Sequence, residues 1–195
     1  MKRLGMFILS LSIWGVSLPV YAATYDVDVD HTAVTFKIRH LFSCVEGRFN
    51  QFQGGFDYEP QTPQTWKTAG TIEVASIDTN VKERDKHLRS SDFFDVEKFP
   101  QIKFHTTKVL ESTKDHAKIE GLITIHGFEK PVVLDVEIHG VGKDPWGNVR
   151  AAFTATTKFS RKDFGLTWNQ ALETGQLLVG EDVMITIELE GILKK

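Results

Sequence analysis

Arg84, Asp85, His87 and Arg89 crowd into six consecutive residues, RDKHLR. Two guanidinium groups and an imidazole in so short a segment can hold a phosphate or diphosphate head group through charge-assisted hydrogen bonds. The same side chains can instead brace a scaffold, with Arg84 and Asp85 in ion pairs and His87 at a rim. The residues alone leave both readings open. Other chemistry is sparse. His31, His40, His87, His105, His116, His126 and His139 lack the close paired spacing of zinc ligands, so no metal is expected. Cys44 is the only cysteine, which excludes an intramolecular disulfide and reads as a small side chain tucked away from solvent. No Gly-x-Ser-x-Gly, His-Glu-x-x-His or phosphate-cradling glycine loop occurs. Asp163 and Glu173 are a chance pair of polar loop residues. Neither an enzyme nor a cofactor is expected.

The elements that must position these residues are strands. Val34, Phe36 and Ile38 alternate with Thr35, Lys37 and Arg39. The same period of two runs through 118–125, 132–139, 149–159 and 183–190, and more weakly through 48–58, 69–76 and 101–110. These make about eight half-buried antiparallel strands. His126 to Pro131 reads as a hairpin connection that sets Ile119 near His139, and Asp144 to Asn148 as a second turn. Gly54-Gly55 reads as a bulge or bend. Only 80–90 breaks the pattern, as one short helix with Asn80 as N-cap and an Asp85–Arg89 pair. Eight such strands hide their apolar face by closing into a barrel, with a sandwich as the alternative. The inner rows carry Phe36, Ile38, Phe49, Phe52, Phe104, Leu134, Phe153 and Phe159, with Trp168 at a mouth. They form either a dry core or the lining of a tunnel.

Lys2 and Arg3, an uncharged apolar stretch to Val20 and small residues at Ala22 describe a secretory signal peptide over residues 1–22. Removing 22 residues from 195 leaves 173, enough for one domain, 23–195. Lys2 and Arg3 account for two of the 23 basic residues, so 21 remain against 26 acidic ones, a net of −5. That balance argues against nucleic acid or an anionic membrane as partner, and no stable membrane insertion is expected once the signal is removed. The expected compartment is the periplasm.

One ordered series of motifs goes further. It runs from His40-Leu41 and Val45-Glu46-Gly47-Arg48-Phe49, through Ser76-Ile77-Asp78-Thr79, Arg84 to Ser90, Asp92-Phe93-Phe94 and Phe99-Pro100. Leu122 to Gly127, Lys130-Pro131-Val132 and Asp144-Pro145-Trp146-Gly147 complete it. Over residues 25–192 it resembles the YceI-like family. The resemblance implies a lipocalin-like antiparallel β-barrel, often periplasmic, that binds a polyisoprenoid or similar long amphiphile inside. It implies no enzymatic reaction and no metal, and it favours the tunnel over the dry core. The expected function is a periplasmic carrier of such a lipid. The alternatives are a lipid-modifying hydrolase or isomerase using His87 or Asp85, and a stress-related protein-binding module with a packed barrel. Oligomeric state is left open, a homodimer included.

Overall fold

The structure, a computed structural model, describes residues 22–173 and 175–195. The expected signal peptide therefore lies outside the described residues, apart from Ala22. The described strands are β1 (Ala23–Val27), β2 (Ala33–His40), β3 (Ser43–Phe49), β4 (Phe52–Tyr58), β5 (Lys67–Glu73), β6 (Ile77–Asp78), β7 (Gln101–Ser112), β8 (His116–Ile125), β9 (Phe128–Lys143), β10 (Val149–Ser160) and β11 (Val179–Leu193). One α-helix, α1 (Lys82–Arg89), lies between β6 and β7. Eight strands, in the order β1-β4-β5-β7-β8-β9-β10-β11, close on themselves through the β1–β11 pair. The fold is the expected mainly-β antiparallel barrel with one helix, and closure rules out the sandwich. β2, β3 and β6 branch from the N-terminal half of β11.

Alternation dictates which side chains enter the barrel. Ala151, Phe153 and Ala155 of β10 are buried, and so are Val132, Val136 and Ile138 of β9. Where two large inner side chains would collide, a glycine gives way. A Cβ at Gly121 would stand 2.4 Å from the Phe104 ring, and one at Gly47 would stand 2.4 Å from Phe36. The aromatic ring thus covers its neighbour's missing side chain. The core divides into two clusters. One, at the α1 end, contains Phe49, Val74, Ile77, Phe164 and Leu166. The other, towards the opposite end, contains Tyr25, Phe56, Tyr58, Trp66 and Phe153.

Several local expectations need correction. The β8–β9 hairpin turns on two residues only, His126 (φ 51°) and Gly127 (φ 79°), the left-handed pair of a tight hairpin turn. Pro131 is therefore a strand residue opposite Leu122, and Ile119 faces Leu134 rather than His139. The pairing of β4 with β5 runs through Gly54-Gly55 without a bulge. These glycines serve close approach: a Cβ at Gly54 would stand 2.6 Å from Ala69 O, and one at Gly55 2.9 Å from Tyr25 O. Asn80 is not the helix cap. It is left-handed (φ 61°) in a turn closed by its own N–H donating to Asp78 Oδ1, and Val81 occupies the cap without a side-chain bond. Cys44 is exposed, opposite Arg39.

Candidate functional site

Between the two core clusters lies a cavity of about 180 Å³. Phe52, Ile72 and Ile102 bound it towards the α1 end, and Phe56, Tyr58, Trp66 and Phe153 bound it opposite. The middle of the barrel is empty because its inner rows carry small residues, Gly54 and Gly70 on one wall and Ala155 and Thr157 on another. Three of the wall's hydroxyls are bonded to the backbone. Thr157 Oγ1 donates to Val133 O (2.9 Å), Thr32 Oγ1 donates to Glu190 O (3.2 Å), and Thr106 Oγ1 accepts from Thr68 N (3.1 Å). The one lining carboxylate, Asp57, accepts from Thr24 Oγ1 (2.7 Å). Burial, helped by the nearby Tyr25 and the Glu59 carboxylate, pushes the Tyr58 phenol above its ordinary pKa, so that ring stays neutral. A chamber of this kind can bind hydrocarbon.

Of the residues read as inward from the sequence, Phe52, Phe104, Leu134 and Phe153 line the cavity. Phe153 is 7% exposed and meets Phe56 and Tyr58 edge to face, with ring centroids 5.3 and 4.9 Å away. Phe36, Ile38, Phe49, Phe159 and Trp168 do not line it. Phe36 lies over Gly47 and tilts against Phe49 (5.7 Å), Phe49 also meets Phe94, and Phe159 packs on Phe164 (5.0 Å). Ile38 sits further along β2, between Val45 and Val183. Trp168 meets His87 edge to face at 4.8 Å and lies tilted against Phe93 at 5.1 Å. Of these, Phe36, Phe49 and Phe159 pack in the cluster near the α1 end, which forms a plug. Of the lining residues that the sequence left unmarked, Phe56 and Tyr58 share the parity of Phe52. Trp66 follows a single-turn 3-10 segment, where no strand period reaches it. Its indole N–H donates to Glu59 O (2.7 Å).

Arg84, Asp85, His87 and Arg89 of α1 stand above that plug, and none of them lines the cavity. Asp85, 7% exposed, accepts from Thr79 N (2.9 Å) and Thr79 Oγ1 (2.5 Å). Arg84 covers the same threonine, Nε donating to Thr79 Oγ1 and Nη2 to Thr79 O, both at 2.7 Å. Arg89 donates to Ala75 O (2.8 Å) and Ile77 O (2.5 Å), not to Asp85. His87 Nε2 lies 3.0 Å from Asp92 Oδ2. The head-group assignment to Arg84, Asp85, His87 and Arg89 is corrected accordingly. Arg84, Asp85 and Arg89 bond groups of the 75–79 segment, backbone ones among them, while His87 is held by Asp92.

A family model described as YceI-like domain matches residues 25–191. The chain belongs to the YceI-like family. A UPF0312 protein of Photorhabdus laumondii is 42% identical over 170 residues, covering 86% of each chain. One from Serratia proteamaculans is 42% identical over 177 residues, 89% of this chain and 88% of its own. Among solved structures, the YCEI protein of Campylobacter jejuni superposes with a TM-score of 0.70 at 28% identity, over 97% of this chain and 100% of its own. BcnA of Burkholderia cenocepacia gives a TM-score of 0.75 at 22% identity, over 85% and 99% of the two chains. A polyisoprenoid binding domain from Saccharophagus degradans, implicated in plant cell wall breakdown, gives 0.66 at 13% identity, over 89% and 99%. The last two likenesses are of fold.

Two further polar groups of this YceI-like barrel escaped the sequence reading. At the end away from α1, Arg150 donates to Asp144 Oδ2 (2.9 Å), Asp28 Oδ2 (2.6 Å) and Glu190 Oε1 (2.5 Å). Burial raises the Asp28 pKa, but hydrogen bonds from Arg150 and His31 outweigh it and hold the carboxyl below its usual value. The Arg150 bond likewise holds Asp144 far below the usual range. Asp28, His31 and Glu190 bring their ligand atoms within 4.8 Å of one another, the one such grouping among the described residues. Arg150 already supplies the cation there. Arg161, 3% exposed, donates to Gly180 O and Leu166 O, and burial pulls its pKa below the ordinary value. It ties the loop after β10 to the start of β11.

Proposed function

We propose that this protein binds an isoprenoid or similar long-chain lipid with its hydrocarbon in the barrel, and carries it in the periplasm after loss of residues 1–22. The observation that carries the reading is the apolar cavity between the two core clusters, with three of its hydroxyls bonded to the backbone. Membership of the YceI-like family and the fold shared with the Saccharophagus degradans polyisoprenoid-binding domain support it.

The volume sets a scale. An engineered apolar cavity of about 150 Å³ accepts one benzene, so about 180 Å³ accommodates roughly seven carbons by proportion. At ~0.8 kcal/mol per methylene-sized group those carbons yield ~6 kcal/mol before ordering costs. One isoprene unit leaves the chamber part empty, and two overfill it slightly.

The test is titration of delipidated protein with prenyl alcohols of one, two and three isoprene units. Affinity is expected to rise by about tenfold or more from one unit to two, as the remaining room is filled. Absence of binding at every length, with the barrel folded by near-ultraviolet circular dichroism, overturns the reading and leaves a packed protein-binding module. For the compartment, amino-terminal sequencing of protein from the native periplasm is expected to begin at Ala23. A chain retaining residues 1–22 in membranes would contradict it.

A further inference from the structure

The wall of the barrel is not paired all the way round. β1 and β2 run past β3 and β4 as two long antiparallel tracks. The ladder between them stops at Asp26↔Gly55 and resumes at Val34↔Phe49. Across the interval, Phe52, Gln53 and Gly54 pair with β5 on one edge and with no strand on the other. The facing segment, Val27 to Thr32, directs its backbone elsewhere: Asp28 N donates to Glu190 O and His31 N to Asp28 O. The two glycines fix where the seam begins. At Gly55 the chain lies so close to β1, and at Gly54 so close to β5, that a Cβ would collide in either place. The strand therefore parts from β1 between them. Val27, Thr32, Phe52, Gln53 and Gly54 border both this seam and the cavity.

We infer that the seam between Val27–Thr32 and Phe52–Gly54 is the doorway of the barrel, and that its acidic rim selects a neutral-headed chain over a phosphorylated one. The inference rests on the lipid-binding reading and names the ligand class. Where the ladder lapses elsewhere in the β4–β11 wall, beyond Ala69↔His105 between β5 and β7 and beyond Thr156↔Asp135 between β10 and β9, a side-chain hydrogen bond crosses the interval, from Thr68 N to Thr106 Oγ1 and from Thr157 Oγ1 to Val133 O. Among the described residues no hydrogen bond crosses the seam. The α1 end is blocked by Val74, Ile77 and Phe164, each 1% exposed. The rim carries Asp26 at the end of β1 and Asp28, Asp30 and His31 in the turn that follows, where His31 Nδ1 lies 2.9 Å from Asp28 Oδ2. Lys194 lies 3.5 Å from Asp26, and Arg150 is shared among Asp28, Asp144 and Glu190. Asp30 has no ion pair among the described residues, and Gln51 and Gln53 across the seam are uncharged. A hydroxyl head group meets hydrogen-bonding partners there, while a diphosphate meets carboxylates.

The experiment uses the full chain with Cys44→Ser, so that an introduced thiol is the only one. A bulky thiol label on Gln53→Cys, at the seam, is compared with the same label on Lys118→Cys on the outer face of β8. Exchange of a three-unit prenyl alcohol is expected to slow at least tenfold with the first label and not with the second, with unchanged unfolding midpoints. The unlabelled protein is expected to bind the alcohol at least tenfold more tightly than its diphosphate. That preference should shrink in Asp30→Asn and at high salt. Equal exchange with both labels overturns the doorway. Equal or tighter binding of the diphosphate overturns the acidic selection. If neither lipid binds the unlabelled protein, the lipid-binding reading itself fails.

Discussion

Ala155 borders the cavity, 7% exposed, between Val136 of β9 and Ile187 of β11. Replacing it by leucine adds three carbons to a space with room for about seven. Their transfer from water is worth ~2.4 kcal/mol, and fixing the leucine rotamer costs ~0.5–1. Ala155→Leu is therefore expected to stabilise the delipidated protein by ~1.5 kcal/mol. A filled core responds with the opposite sign, because forcing extra methylenes into close packing costs ~1–3 kcal/mol. The same three carbons displace ligand, so prenyl alcohol affinity should fall by about 2.4 kcal/mol, roughly fiftyfold. The assays are urea unfolding of protein refolded free of lipid, and titration of the same preparation. A loss of stability beyond ~1 kcal/mol shows that the site was already packed and refutes the reasoning.

Two further outcomes follow from the polar groups. Arg84→Ala removes two charged hydrogen bonds from Thr79 and is expected to cost ~2 kcal/mol of stability while leaving prenyl diphosphate affinity unchanged; weakened diphosphate binding at unaltered stability would restore a head-group role for α1. Arg150→Met leaves Asp28, Asp144 and Glu190 facing one another and should lower the thermal midpoint at neutral pH. Asp28 and Asp144 titrate below their usual 3.8 in the fold, so their contribution is complete above that value and is lost as pH falls towards the lowered ones. The gap between wild type and Arg150→Met should therefore narrow progressively below about pH 4; a gap constant from pH 7 to pH 2 would contradict the assignment.

The barrel was legible in the sequence because its strands are long and cleanly alternating, as 149–159 and 183–190 show. What escaped lacked a periodic signal. β3 went unseen as a separate strand because the β2–β3 hairpin turns on Leu41 and Phe42, with Leu41 at φ 51° and neither glycine nor asparagine to mark it. β6 has two residues, and β1 begins at Ala23, directly after the stretch read from the sequence as a signal peptide. At the site, alternation identified the inward rows but not the height at which they stop lining a void and begin to close it. Phe36 and Phe104 have the same residue type and parity. Phe104 borders the cavity, whereas Phe36 lies in the plug over Gly47. That distinction depends on distance along the barrel axis, which a period of two does not encode. The polar residues of α1 misled for a related reason: a cluster of arginines looks alike whether its acceptors are phosphate oxygens or backbone carbonyls.

A void in a protein has a cost, and here it can be scaled. At ~24 cal/mol per Å³, a cavity of about 180 Å³ removes ~4 kcal/mol from a fold whose whole margin is typically ~5–15. The side chains that would abolish it are simple ones, a leucine at Ala155 among them. The residues present instead keep the centre open and three of its hydroxyls bonded to backbone, and they leave one stretch of β4 unpaired beside it. A hydrocarbon of about seven carbons returns more than the void costs, ~6 kcal/mol gross. The rest of a longer chain has to go somewhere. The plug shuts the α1 end, Tyr58, Trp66 and Phe153 crowd the other, and the remaining gaps in the ladder are bridged by the Thr106 and Thr157 hydroxyls. The seam between Val27–Thr32 and Phe52–Gly54 is where the excess chain and its head group can emerge, so the same gap that admits the lipid also lets a small chamber hold one end of a long molecule.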